Sequence, residues 1–137
     1  MSTPSHIQLA IHTPLATVQQ KAAASAAIAR CRKALANRPD VASLHDELAT
    51  NLAILEQYQE AEAAFLRAIE LAPTSGTICA YGELLAKTNR HTEAIDLWQK
   101  ALIDDSDNRA IYNYLGLAYQ ETGQLDLALA AHRQMLR

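Results

Sequence analysis

Three stretches of the 137-residue chain align without a gap: LATNLAILEQYQEAEAAFLRA from Leu48, YGELLAKTNRHTEAIDLWQKA from Tyr81 and LGLAYQETGQLDLALAAHRQM from Leu115. The offsets are 33 and 34 residues. A period of that length marks a small unit that cannot bury its apolar face alone, so neighbours must stack. Within the windows a bulky residue (Leu48, Tyr81, Leu115) precedes a small one (Ala49, Gly82, Gly116), and another bulky one follows (Leu52, Leu85, Tyr119). An alanine then recurs (Ala61, Ala94, Ala128), followed four residues later by Phe65, Trp98 and His132 and then by Ala68, Ala101 and Met135.

Side chains three or four apart share one face of a helix. Small residues let two helix axes approach closely, and large ones fill the volume beside each crossing. The columns therefore predict, in each unit, a helix of about 14 residues, a tight turn and a second helix packed antiparallel to the first. Gln57–Tyr58, Thr88–Asn89–Arg90 and Thr122–Gly123–Gln124 fall where the turns are needed. Pro73 ends one second helix, and Asp105–Ser106–Asp107–Asn108 supplies capping oxygens before the next unit. Composition agrees: about one residue in five is alanine, half the chain is hydrophobic, and there are only four glycines and four prolines. An all-β sandwich and a nucleotide-binding α/β sheet are excluded, and no apolar run is long enough to span a membrane.

The pattern resembles the tetratricopeptide repeat, a helix–turn–helix unit of 34 residues. The resemblance covers about residues 42–137, in units of about 42–74, 75–108 and 109–137. It implies an all-α, right-handed superhelical array of antiparallel helix pairs. Departures exist, and they weaken the third unit most: His132 and Met135 replace the usual aromatic and alanine there, while Ser106 replaces a terminal proline and one residue is missing near Thr74–Gly76. Upstream, Ala27, Cys31, Ala34 and Pro39 lie 34 residues before Ala61, Phe65, Ala68 and Pro73, so residues 14–39 read as a capping helix or degenerate repeat. Thr13–Pro14 reads as a helix start, with proline in the first turn. Residues 1–13 are expected to be flexible, with the alternating Ile7, Leu9 and Ile11 able to lie extended against an apolar groove.

Chemistry-bearing patterns are missing from the sequence. His6, His12, His45, His91 and His132 show no paired-ligand spacing, so no metal site and no cofactor are expected. His132 reads as a half-buried member of the aromatic column, and Cys31, in the equivalent column one unit back, as a small core residue. The run Asp104–Asp105–Ser106–Asp107–Asn108 lacks the glycine and glutamate of a calcium loop. With no phosphate-binding glycine loop and no nucleophile motif, the chain alone is not expected to be an enzyme. Cys31 and Cys79 form no CxxC pair, and two cysteines make no disulfide framework; a reduced, cytoplasmic protein is expected. Residues 1–39 hold five basic residues and no acid, whereas 40–137 hold seven basic and fifteen acidic ones. That basic start could be read as an organelle transit peptide, but four of its charges fit the capping helix. Few bases and no interleaved aromatics argue against nucleic acid.

Stacked helix pairs present a concave surface lined by their first helices, suited to a peptide or partner helix. On that face the sequence places Ser43, Asp46, Glu47 and Thr50, then Cys79, Glu83 and Lys87, then Asn113, Tyr114 and Leu117. Repeats of this family that hold acidic chaperone tails use a clamp of Lys, Arg and Asn; here Asp46, Glu47 and Glu83 stand there, so a basic or amphipathic protein or peptide is the expected partner. Two other roles remain open at this stage. The chain could be the non-catalytic N-terminal module of a larger enzyme, of sulfotransferase, methyltransferase or glycosyltransferase type. Alternatively, it could self-assemble as a homodimer through its C-terminal helix, where Leu125, Leu129 and Leu136 have nothing to cover them.

Overall fold

A computed structural model describes the backbone of residues 3–137 and the side chains of residues 18–137. Seven helices follow one another: α1 (Thr3–Asn37), α2 (Ala42–Ile54), α3 (Tyr58–Leu71), α4 (Ser75–Lys87), α5 (His91–Asp104), α6 (Arg109–Glu121) and α7 (Leu125–Met135). No strand occurs among the described residues. α2 packs on α3, α4 on α5 and α6 on α7, and each pair packs on the next. The protein is an all-α solenoid of helix pairs.

The three turns inside the pairs are built alike. Glu56, Asn89 and Gly123 each adopt a left-handed backbone, with φ of 61°, 64° and 76°. Gln57, Arg90 and Gln124 then donate their N–H to the carbonyls of Leu52, Leu85 and Tyr119 at 2.9, 2.7 and 2.8 Å. This is the Schellman closure, which satisfies carbonyls that a helix end leaves orphaned. Caps between pairs come from Thr74, which the sequence reading did not single out, and from Asn108 of the expected capping run. Thr74 Oγ1 accepts from the Thr77 N–H at 3.3 Å, and Asn108 Oδ1 accepts from the Ile111 N–H at 3.2 Å.

The small columns are helix crossings. Ala49, Ala61 and Ala94 have no exposed surface and Ala128 has almost none. Gly82 lies under the indole of Trp98 and Gly116 under the imidazole of His132: a Cβ at Gly116 would stand 2.6 Å from His132 Nε2. His132 is half-buried, as its place in the aromatic column requires. Phe65 and Trp98, each 2% exposed, fill the volume beside the crossings in the first two units.

α1 packs against α2 through Ala24, Ala27, Ile28 and Cys31, a stripe at three- and four-residue spacing. Cys31 is a free, buried thiol whose pKa is raised, first by burial and then by Glu47. Arg30 and Arg32 reach across to Glu47 and Glu60 at 3.6 and 3.0 Å. The helix starts earlier than Thr13–Pro14. It begins at Thr3 and runs through Pro14, about 50 Å in all. A proline inside a helix lacks one N–H and forfeits one rung of the ladder, and here the ladder continues on both sides of it. The backbone from Thr3 is thus helical where a flexible or extended stretch was expected. The side chains of His6, Ile7, Leu9, Ile11 and His12, like Met1 and Ser2 altogether, lie outside the described residues.

Candidate functional site

α2, α4 and α6 stand side by side on one face, and two hollows lie between them. The smaller, of about 100 Å³, is formed by Thr50, Ala53 and Ile54 of α2, Ala80, Glu83, Leu84 and Lys87 of α4, and the edge of Phe65. The larger, of about 350 Å³, lies between α4 and α6. Its floor is Trp98, Ala86 and Ala118, and its walls are Tyr114 and Leu117 on one side and Glu83, Lys87 and His91 on the other, with Glu121 at one end. Small residues make this hollow: alanines at 86 and 118 leave space over the indole of Trp98, which itself stays 2% exposed and stacked with Tyr114.

Tyr114 stacks on Trp98, with ring centroids 5.3 Å apart and planes 11° from parallel. The geometry is the offset-stacked kind that aromatic pairs favour. A hydrogen bond to Glu83 and partial burial push the Tyr114 hydroxyl up to about 12, so it stays a neutral donor at any physiological pH. Glu83 in turn lines both hollows. His91 Nδ1 and Trp98 Nε1 are buried without a hydrogen-bond partner; the indole nitrogen points at the Gly82 backbone, whereas His91 stands in the wall of the larger hollow.

Of the ten residues expected on this face, five line the hollows: Thr50, Glu83, Lys87, Tyr114 and Leu117. Ser43 is exposed beyond them at the start of α2, and Asn113 is half-buried on α6. Asp46 is half-buried, and its Oδ1 has no partner. Burial raises the Asp46 pKa, against a smaller opposing effect of a hydrogen bond with Thr77. Two residues sit elsewhere. Glu47 turns towards α1, where Arg30 pairs with it, because its helical position lies between the open face and the neighbouring helix. Cys79 is 8% exposed and belongs to the core, with its thiol pKa raised by burial and then by Glu83 and Asp105. Sequence reasoning missed Trp98, His91, Ala86, Ala118 and Glu121. The signal for Ala86, Ala118 and Glu121 was the next helical turn of α4 and α6, while Trp98 comes through from a second helix only because its neighbours are small.

Among the described residues no three His, Cys, Asp or Glu side chains cluster as metal ligands would, and no helix is long and apolar enough to cross a membrane. The hollows offer an aromatic floor, two carboxylates, one lysine and a phenol donor. Such a set holds a ligand by contact and charge.

The repeat, the helix pairs and the small-on-large crossings agree with the comparisons. A family model described as a TPR repeat matches residues 82–123, from the crossing glycine of α4 to the turn after α6. Those residues match a TPR repeat. Solved structures similar to this TPR array include a crystal structure of MamA (TM-score 0.74, 23% identity, 80% of this chain and 64% of that one). A second structure of MamA protein gives 0.76 at 23% identity, over 82% of this chain and 62% of that one. MamA 41-end from Desulfovibrio magneticus RS-1 gives 0.73 at 20% identity, over 82% and 64%. At these identities the likeness is one of fold, and this chain spans less than two-thirds of the length of those MamA chains. No curated protein matches the chain. Stacked helical repeats of this kind present extended concave surfaces on which a partner can bind.

Proposed function

We propose that the chain binds a basic, amphipathic peptide or partner helix along the face formed by α2, α4 and α6, with α1 as the N-terminal cap of the array. The observation that carries this reading is the larger hollow. Tyr114, Leu117 and Ala86 offer apolar surface over the buried Trp98 and Ala118, and Glu83 and Glu121 stand at its margins with Lys87 beside them. An apolar side chain of the ligand fits the aromatic floor, and a flanking lysine or arginine meets Glu83 or Glu121. Tyr114 is the wall that the apolar side chain touches, close to Glu83. His91 Nδ1 adds a polar atom without a partner. An acidic tail would find like charge at Glu83, Glu121 and half-buried Asp46.

Trp98 is the single tryptophan of the chain, so it reports occupancy of this hollow directly. Titration with a synthetic amphipathic helix of leucine and lysine should change its fluorescence. The affinity should fall as salt is raised, since rim charges are screened over about 8 Å at physiological ionic strength. Tyr114→Ala should weaken binding about tenfold or more, the size expected of a central aromatic anchor, and Glu83→Gln should reduce the salt dependence. Tighter binding of an acidic peptide of the same length, or an unchanged affinity in Tyr114→Ala, would overturn the proposal.

A further inference from the structure

The two hollows are one site made twice. Every residue that lines the smaller has its counterpart, 33 or 34 positions later, in the lining of the larger. Ala53 gives way to Ala86, Phe65 to Trp98 and Leu84 to Ala118, and the last exchange accompanies the growth from about 100 to about 350 Å³. Because α2, α4 and α6 hold the same place in successive units, the hollows lie on either side of α4. They are one helix apart, about 8–10 Å.

Glu83 and Lys87 line both hollows, so they form the ridge between them. They stand one turn apart along α4 with the acid first, the order that favours an ion pair within a helix. Among the described residues, neither takes part in an ion pair. Both charges are left for a ligand.

That arrangement selects the conformation of the ligand. In an α-helix, positions i and i+7 share a face about 10.5 Å apart, and i+3 and i+4 fall between them, about 50° to either side of the line that joins them. A helix laid across α4 therefore seats i in one hollow and i+7 in the other, with i+3 and i+4 on opposite sides of its axis, one towards Glu83 and the other towards Lys87. A polyproline-type strand bridges a similar distance with i and i+3, about 9 Å, but its intervening side chains point away from the ridge. Resting on the peptide-binding reading of this face, we infer that the ligand is a helix with apolar side chains at i and i+7, one for each hollow, and opposite charges at i+3 and i+4, the cation on Glu83 and the anion on Lys87.

The hollows differ in size, so the ligand has a direction. A cavity of about 150 Å³ holds benzene; the larger hollow thus takes leucine or methionine, and the smaller a side chain no bigger than valine. Turning the helix end for end exchanges the sides on which i+3 and i+4 fall. The order of the two charges therefore dictates which end carries the large anchor.

Four helical peptides of about 15 residues test this by calorimetric titration of the 137-residue chain. Each carries leucine and valine seven positions apart, in either order, with Lys–Glu or Glu–Lys at the two positions between. With Lys–Glu, one anchor order should bind about tenfold tighter than the other, and with Glu–Lys the preference should reverse. The doubly exchanged protein, Glu83→Lys with Lys87→Glu, should reverse both preferences. Moving the second anchor to i+4 or i+11, on the same face at the wrong distance, should cost about tenfold. Ala53→Leu, which fills the smaller hollow, should weaken the preferred peptide but not its variant with alanine in place of valine. Equal affinity for both anchor orders, or for all three spacings, with binding still weakened by Tyr114→Ala, would overturn this inference and leave the peptide-binding reading standing. Failure of every peptide to bind would overturn both.

Discussion

Gly82→Ala adds one methyl group at a crossing with no room for it. A Cβ there would lie 2.8 Å from Trp98 Cζ2 and closer still to Nε1 and Cε2. The indole cannot yield easily: Trp98 is 2% exposed, and its other face is stacked on Tyr114. Overpacking of this kind costs about 1–3 kcal/mol, and a rigid ring on one side with helix backbone on the other puts Gly82 at the upper end. Alanine is the better helix former by about 1 kcal/mol, which offsets part of that. The net expectation is a loss of about 2 kcal/mol, or about 8 °C in Tm for a chain of this size. Gly76→Ala is the internal control, since nothing stands within 4 Å of its Cβ, so the propensity gain alone should leave it equal to wild type or slightly more stable. Thermal and guanidinium unfolding followed by far-ultraviolet circular dichroism measures both. Adding Trp98→Phe to Gly82→Ala should recover part of the loss relative to Trp98→Phe alone, by about 1 kcal/mol of coupling. A Gly82→Ala variant as stable as wild type would refute the claim that small residues mark the points where paired helices touch.

Glu56 holds a left-handed backbone at the turn position where the other two units have Asn89 and Gly123. A non-glycine residue there carries a penalty of about 1–2 kcal/mol, so Glu56→Gly should raise stability by about 0.5–1 kcal/mol in a denaturant titration; a loss would mean that the Glu56 side chain supports the turn. Asp46 should give a pH signature. Burial raises its folded pKa, so its contribution is favourable below its ordinary value near 3.8 and is lost as pH rises through the raised one. Asp46→Asn, which keeps the neutral form, should therefore stabilise the protein at pH 7 and make little difference near pH 3. An equal effect at both values would show that charge burial is not the cause.

The period carried most of the architecture. Once Ala61, Ala94 and Ala128 are read as crossings, the helix pairs, their turns and their caps follow, because each needs only local spacing and a residue able to adopt the required backbone. The site was legible only in part. A helix position defines a direction to within a few tens of degrees, and Glu47 and Cys79 sit at the border between the open face and a neighbouring helix. Which side of that border a residue takes depends on how closely the next helix approaches. For Glu47, Arg30 on α1 decides it; for Cys79, the fit of α4 into the core does. Trp98 was assigned to the interior by its column, correctly, but no column says that alanines at 86 and 118 leave a hollow above it. Pro14 shows the limit of a single-residue rule, since one missing rung does not end a helix whose other rungs remain.

The most direct test of the account is an amide chemical-shift map of the chain titrated with the leucine–lysine helix. Perturbations should gather on the inward residues of α4 and α6, from Glu83 to Lys87 and from Tyr114 to Glu121, together with the Trp98 indole N–H and a weaker set near Thr50 on α2. Saturating shifts confined to α3, α5 or the outer face of α1, with Glu83, Trp98 and Tyr114 unmoved, would contradict it.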